Sequence, residues 1–276
     1  MRPKFRTIAL SLPLILTVAL GLRLGFAWSY QHPRPSRALG AIPFLQESGN
    51  VAYSLASGKG FASPFREDTG PTAWLAPVYP LLLAGIFRMF GAYTFHAFLA
   101  AVALNILFST VACVPIFFAG QRIAGRGVGA GAAWLWAVFP NAILLSVESM
   151  WDQSLSALLA AVVLWATLAL AGSRRWQAHR GAGDSQSGQE KLARAFVVGV
   201  DLKDWCGYGA LWGLTLMTNP ALVSLLPFLL GWLAYRARRL DLARPCVALA
   251  VTILCCVPWT ARNYVVFHCF VPFRST

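Results

Sequence analysis

Four stretches of this chain, residues 7–29, 97–119, 128–147 and 152–172, run apolar for about 20 residues each, the length that crosses a bilayer. Runs of this kind restrict the fold more than any other feature. Hydrocarbon offers the backbone no hydrogen bonds, so only helices and closed barrels span it. The runs do not alternate apolar with polar residues, which excludes a barrel. Composition agrees: 58% of the 276 residues are hydrophobic and 12% are charged, against about 25% charged in soluble domains. The expected fold is all-α, a polytopic transmembrane helical bundle of about seven membrane helices with juxtamembrane helices at the outer face. One transmembrane domain is expected over residues 1–276.

A net charge of +13 raises nucleic acid or an anionic surface as partners. The basic residues instead gather between apolar runs, at Arg2/Lys4/Arg6, at Arg122/Arg126, from Arg174 to Lys203 and from Arg236 to Arg244. That distribution is the positive-inside signal of membrane topology, so no nucleic-acid partner is expected. The six cysteines show no Cys-x-x-Cys pair and no metal-ligand spacing with the four histidines; they read as small apolar packing residues.

The basic N-terminus and its apolar run to about Trp28 read as an uncleaved anchor with the N-terminus in the cytoplasm. Residues 30–96 are then an outer segment with juxtamembrane helices, of which 77–91 is a short, partial helix carrying Arg88. Residues 173–205 form a basic cytoplasmic loop. Residues 206–235 would be too long for one crossing, and Asn219-Pro220 breaks them, so a re-entrant or two-helix hairpin is expected. A last helix near 245–260 leads outward. On this topology Glu47, Glu67, Asp68, Glu148 and Asp152 lie at the outer face, and that is where chemistry is expected.

Glu47 opens a short amphipathic helix over 46–57, ended by Gly58 and Gly60. Held at the lipid–water boundary, a partly desolvated carboxylate suits a general base that takes a proton from an acceptor hydroxyl or amine. The alternative is a solvated acid that favours the helix dipole. Glu148 and Asp152 are four apart and share a face if helical. They suit a divalent cation (Mg or Mn) or an acceptor, the alternative being a water-exposed turn that caps helix 152–172. Arg23 and Arg262 sit at outer helix ends, against the positive-inside trend. They suit bidentate binding of phosphate, or snorkelling to headgroups. No phosphate-binding glycine loop, nucleophile elbow or zinc motif occurs.

Several pieces in order resemble the bacterial GT-C superfamily of polyprenyl-phosphate-sugar transferases, of the protein O-mannosyltransferase and aminoarabinose-transferase type. They are Glu47 before Tyr53-Ser-Leu-Ala-Ser-Gly-Lys-Gly-Phe61, Pro77-Val-Tyr-Pro80 and the helix it leads into, Trp136-Ala-Val-Phe-Pro-Asn-Ala142, Gly213-Leu-Thr-Leu-Met-Thr-Asn-Pro220 and Pro258-Trp-Thr-Ala-Arg-Asn-Tyr264. The resemblance spans about residues 30–275. It implies an inverting sugar transfer from a polyprenyl-phosphate-linked donor, at the outer face of a bacterial cytoplasmic membrane, with membrane lipid as donor carrier. Glu47 falls where the family usually has Asp. Asn219 falls where the family often has a cation, so Arg23 or Arg262 is expected to take the donor phosphate. Family members continue past the Pro-Trp-x-x-Arg-Asn-Tyr segment. The expectation is therefore a fragment, a truncated or inactive copy, or a chain that needs a partner subunit. The competing function is a transporter or flippase for a lipid-linked or small solute, favoured by the broken helix at 206–235.

Overall fold

A computed structural model of the chain describes residues 11–31, 46–65, 67–148, 150–171, 188–236 and 243–275. Among these residues the regular elements are helices, with one isolated antiparallel bridge between Ala62 and Pro71. They are α1 (Leu12–Gln31), α2 (Glu47–Ala56), α3 (Val78–Phe90), α4 (Phe95–Val111), α5 (Cys113–Ala124), α6 (Arg126–Val138), α7 (Pro140–Glu148), α8 (Gln153–Ala171) and α9 (Gly188–Thr218). A 3-10 turn (Pro220–Ser224), α10 (Leu225–Arg236) and α11 (Ala243–Phe267) follow.

Among the described residues four stretches are long and apolar enough to cross a membrane: Leu12–Tyr30, Phe95–Ala124, Gln153–Ala171 and Ala243–Phe267. The pair α6 and α7, bent by 46° at its break, makes up to five. The seven membrane helices expected from the sequence are not found among the described residues. α3 has only 13 residues, about 20 Å of helix against a hydrocarbon core of about 30 Å. Asn219-Pro220 divides the chain after α9 into a five-residue turn and the 12-residue α10. Asn219 caps that turn, its Oδ1 accepting from the Ala221 N–H at 3.1 Å.

The basic segment 173–205 is corrected in part. Residues 172–187 lie outside the described residues, but from Gly188 onward the chain is helix α9 rather than loop. Gln189-Glu-Lys-Leu-Ala-Arg-Ala195 is rich in strong helix formers, and it runs without a breaker into the apolar 206–218.

Glycines decide how the helices pair. Gly209 and Gly213, one turn apart on α9, face Ala248, Thr252 and Cys255 on α11. A Cβ on Gly209 would come within 2.9 Å of Val251 Cβ, so only a bare backbone allows this approach. The Thr252 hydroxyl uses the closeness to donate to Gly209 O at 3.0 Å. The order of these contacts rises along both helices, so α9 and α11 run parallel. The chain between them must therefore turn back, and α10 is the returning limb. α5 and α6 meet in the same way, antiparallel, around Gly125 (φ 89°). A Cβ on Gly120 would lie 2.8 Å from the Gly129 Cα.

The break between α6 and α7 has a sequence cause and a structural remedy. Pro140 has no N–H to give Trp136 O, so α6 ends at Val138. Arg23 of α1 reaches the loosened carbonyls, with Nη1 to Ala137 O at 3.1 Å and Nη2 to Trp136 O at 3.4 Å. Its Nε donates to Ser109 Oγ at 2.9 Å, and that hydroxyl donates to Ala142 O at 3.1 Å on the far side of the break. Trp136 Nε1 closes the knot on Ser109 O at 2.8 Å.

One apolar cluster fixes which elements share an end. Ala52 of α2, Tyr79 and Leu83 of α3, Phe98 of α4, and Val147, Met150 and Leu155 of the α7–α8 turn pack together. The segment 47–76 thus lies as a cap on the end of the bundle where α3 ends, α4 begins and α7 turns into α8.

Candidate functional site

The cap is built by local rules. α2 buries Ser48, Gly49, Val51 and Ala52. Gly58 (φ 80°) ends it and Gly60 (φ 81°) redirects the chain, both in the left-handed region that favours glycine. The chain then doubles back, with the Ser63 N–H on Gly70 O at 2.9 Å and the Thr72 N–H on Phe61 O at 3.0 Å. Asn50 Nδ2 ties α2 to this loop through Pro64 O at 2.9 Å.

Arg262 binds the cap to α11. Its Nη1 donates to Thr72 O at 2.7 Å and to Asn263 Oδ1 at 2.9 Å, and its Nη2 donates to Phe61 O at 2.8 Å. The guanidinium also lies over the Phe61, Trp259 and Phe267 rings, 5.2–5.7 Å from their centroids. Phe61 packs edge-on to Trp259 at 4.7 Å, above Val51 and Leu75. The last described residues fold back against the same place. Trp259 Nε1 donates to Phe273 O at 2.6 Å, and the Ser275 N–H to Ala73 O at 2.8 Å.

The structure brings three of the predicted site residues to one end and gives the other two internal work. Glu47 is the first residue of α2, half-buried, where a carboxylate favours the helix dipole. Among the described residues it meets no hydrogen-bond or ion-pair partner. Glu148 ends α7 and Asp152 immediately precedes α8, both half-buried. The chain is not helical between them, so the shared helix face expected from their spacing does not exist. The fully buried Met150 side chain plugs the core and forces the turn. The Asp152 carboxylate is bound to the first turn of α8, with Ser156 Oγ donating to Oδ2 at 2.7 Å.

Nearby, the Tyr79 hydroxyl donates to Asn105 Oδ1 at 3.1 Å. Burial holds that phenol well above its ordinary pKa, helped by the charge of Asp152, so it remains a donor.

Arg23 is fully enclosed and its donors go to Ser109 Oγ and to the Ala19, Ala137 and Trp136 carbonyls. Arg262 is committed to two cap carbonyls and three rings. Neither presents a guanidinium to a phosphate in this arrangement. Among the described residues no three His, Cys, Asp or Glu side chains group to hold a metal ion. Among the described residues Glu148 and Asp152 gain no third ligand.

Along α2 the cap forms an open cleft of about 240 Å³. Asn50, Tyr53 and Ser54 of α2 form one wall, Tyr93 another, and the loop residues Phe65, Glu67 and Asp68 a third. Lys59 and Asp68 pair across it at 3.4 Å, both largely exposed, and Ser63 Oγ donates to Asp68 Oδ1 at 3.0 Å. The Ser63 bond, then Lys59, hold the Asp68 carboxyl below its ordinary pKa. Burial, then the neighbouring Tyr53, raise that of Tyr93. Sequence reasoning grouped Glu67 and Asp68 with Glu47 but missed the cleft. Its one local signal is the spacing of Gly58, Gly60 and Gly70, three left-handed turns that fold the loop over α2.

No known protein family, curated protein or solved structure matches the chain.

Proposed function

We propose that the chain is a glycosyltransferase of the GT-C type, or part of one, that takes a sugar from a polyprenyl-phosphate donor. The reaction is placed at the outer face of a bacterial cytoplasmic membrane, with the N-terminus in the cytoplasm. The observation that carries the reading is the gathering of Glu47, Glu148 and Asp152 at one end of an apolar bundle, under a folded cap made by a non-spanning helix.

Glu47 is the general base. It takes the acceptor's proton as the acceptor oxygen or nitrogen attacks the anomeric carbon. The bond from that carbon to the phosphate oxygen breaks with inversion, and polyprenyl phosphate leaves. Glu148 and Asp152 orient the acceptor from the α7–α8 turn. With Arg23 and Arg262 engaged elsewhere, Arg88 is the cation assigned to the donor phosphate. It is exposed on the last turn of α3 and is held to the cap by Nη2 on Leu55 O at 3.2 Å.

The test is transfer from a panel of polyprenyl-phosphate sugars by the purified chain. Glu47→Gln is expected to lower turnover by about 10²–10⁴-fold. Turnover equal to wild type would remove Glu47 from the chemistry. A transporter or flippase is the second reading, supported by the break at Asn219 and the return through α10. Solute uptake by reconstituted vesicles with no sugar transfer would favour it.

A further inference from the structure

The cleft along α2 has the chemistry of a carbohydrate site. Tyr53 and Tyr93 stand together with centroids 5.2 Å apart, and Phe65 lies across from them, braced edge-on by Trp74 at 5.6 Å. Aromatic faces like these meet the C–H face of a sugar ring. Between them stand groups that exchange hydrogen bonds with hydroxyls: the Asn50 amide, the Ser54 hydroxyl and the Glu67 and Asp68 carboxylates. At about 240 Å³ the cleft is smaller than the roughly 300–1,000 Å³ that hold drug-sized ligands, and it suits a single small ring.

A second observation is independent of the lining. Three non-glycine described residues adopt left-handed backbone, and two of them, Ser63 (φ 54°) and Tyr93 (φ 58°), line this cleft. Left-handed backbone at a bulky residue is costly and persists where the surroundings impose it, commonly at ligand sites. Tyr93 has its ring beside that of Tyr53. At Ser63 the left-handed backbone accompanies the hydroxyl bond that holds Asp68 in place.

We infer that the cleft bounded by α2, the 59–68 loop and Tyr93 is a subsite for one pyranose ring. Stacking on Tyr53 and Tyr93 fixes the face of the ring, and Asn50, Glu67 and Asp68 take its hydroxyls. This deepens the proposed transfer and rests on it only for the fate of the bound sugar, since binding itself needs no turnover. The ring belongs either to the acceptor or to the lipid-linked donor, and competition separates the two.

The experiment is saturation-transfer difference NMR on the full chain in detergent, with neutral methyl pyranosides as probes. Wild type is expected to transfer saturation to the ring protons of at least one of them. Tyr53→Ala is expected to weaken that binding about tenfold, while Tyr53→Phe, which keeps the stacking face, retains it. Glu67→Ala, at an exposed position that tolerates truncation, is the second variant and is expected to weaken binding as well. Displacement of the probe by a polyprenyl-phosphate sugar assigns the ring to the donor, and its absence assigns the ring to the acceptor; either supports the subsite. Probe binding by a wild-type chain that transfers no sugar upholds the subsite while the enzymatic reading falls, and binding retained by Glu47→Gln is expected under both. No saturation transfer to any methyl pyranoside, or wild-type binding by both Tyr53→Ala and Glu67→Ala, would overturn it.

Discussion

Arg262 of α11 donates to the carbonyl of Phe61 at 2.8 Å across 201 residues of sequence, and this contact joins the cap to the bundle. With the second carbonyl, Thr72 O, and three aromatic rings, one guanidinium holds both strands of the cap loop. A lysine there keeps the charge but loses the fork that reaches two acceptors at once.

Arg262→Lys is therefore expected to loosen the cap without unfolding the bundle. Hydrogen bonds to a charged group are each worth about 1.5–3 kcal/mol, so Arg262→Leu should cost more than the lysine variant. Hydrogen exchange should report it, with faster exchange of the Ser63 and Thr72 amides and unchanged protection in α8. Equal protection of the loop in wild type and Arg262→Leu would show that the clamp is not needed.

Arg23 acts inside the bundle, on carbonyls that Pro140 leaves short of a donor. Arg23→Met keeps most of the volume and removes every donor. A buried polar group left unpaired costs about 1–3 kcal/mol; Ala137 O loses the guanidinium donor, while Trp136 O keeps the Phe139 N–H and the Ser109 hydroxyl keeps Ala142 O. A large fall in thermal stability in detergent is expected, with Arg23→Lys in between. A melting temperature unchanged in Arg23→Met would contradict the role given to this residue.

Gly213→Ala places a methyl group against Cys255 on α11, whereas the Cβ of Gly207→Ala on the same helix meets open space. Overpacking costs about 1–3 kcal/mol. An exposed helical glycine replaced by alanine gains about 0.5–1 kcal/mol. The two variants should shift thermal stability in opposite directions. The same sign for both would mean that α9 and α11 do not depend on a bare backbone where they cross.

The depressed pKa of Asp68 has a defined consequence for the cap. A carboxyl whose pKa is lower folded than unfolded contributes stability above its unfolded value, and loses it as pH falls through the folded one. The cap loop should therefore be insensitive to pH from 5 upward, about one unit above the ordinary Asp value. Its protection should fall below the ordinary carboxylate range. Asp68→Asn should flatten that dependence. Titration of the Asp68 carboxyl carbon by NMR gives the direct readout, and a midpoint at or above that of an unstructured Asp would refute the Ser63 and Lys59 contacts.

Much of the helical order was readable from residue type alone. Apolar length marks α1, the α4–α5 stretch, α8 and α11. Asn219-Pro220 marks a break because a proline there cannot continue the hydrogen-bond ladder, whereas 128–147 reads as one apolar run and its break at Pro140 comes from the structure. Gly58 and Gly60 mark the end of α2, and Glu47 at its start is visible from the polar run it opens. The candidate site was legible only as a list of acids on one side. Spacing put Glu148 and Asp152 on one helix face, but spacing does not register that Met150 is drawn into the core between them, which ends one helix and begins another.

The two arginines show most plainly what local sequence leaves open. From the sequence both read as helix-end residues, where a free guanidinium and a structural one look alike, although Arg23 lies near the middle of the 20-residue α1. The difference lies in which carbonyls come within 3 Å or so, and that depends on chain more than 80 residues away for Ser109 and 190 for Thr72. The sequence by itself determined that this chain is a bundle of apolar helices, because lipid leaves the backbone few alternatives. Only the tertiary structure decided that Arg23 and Arg262 are internal brackets, that Gly209 and Gly213 pair α9 with α11, and that Tyr53 and Tyr93 line a cleft. Each of these depends on the approach of groups far apart in the chain, which apolar periodicity alone does not specify.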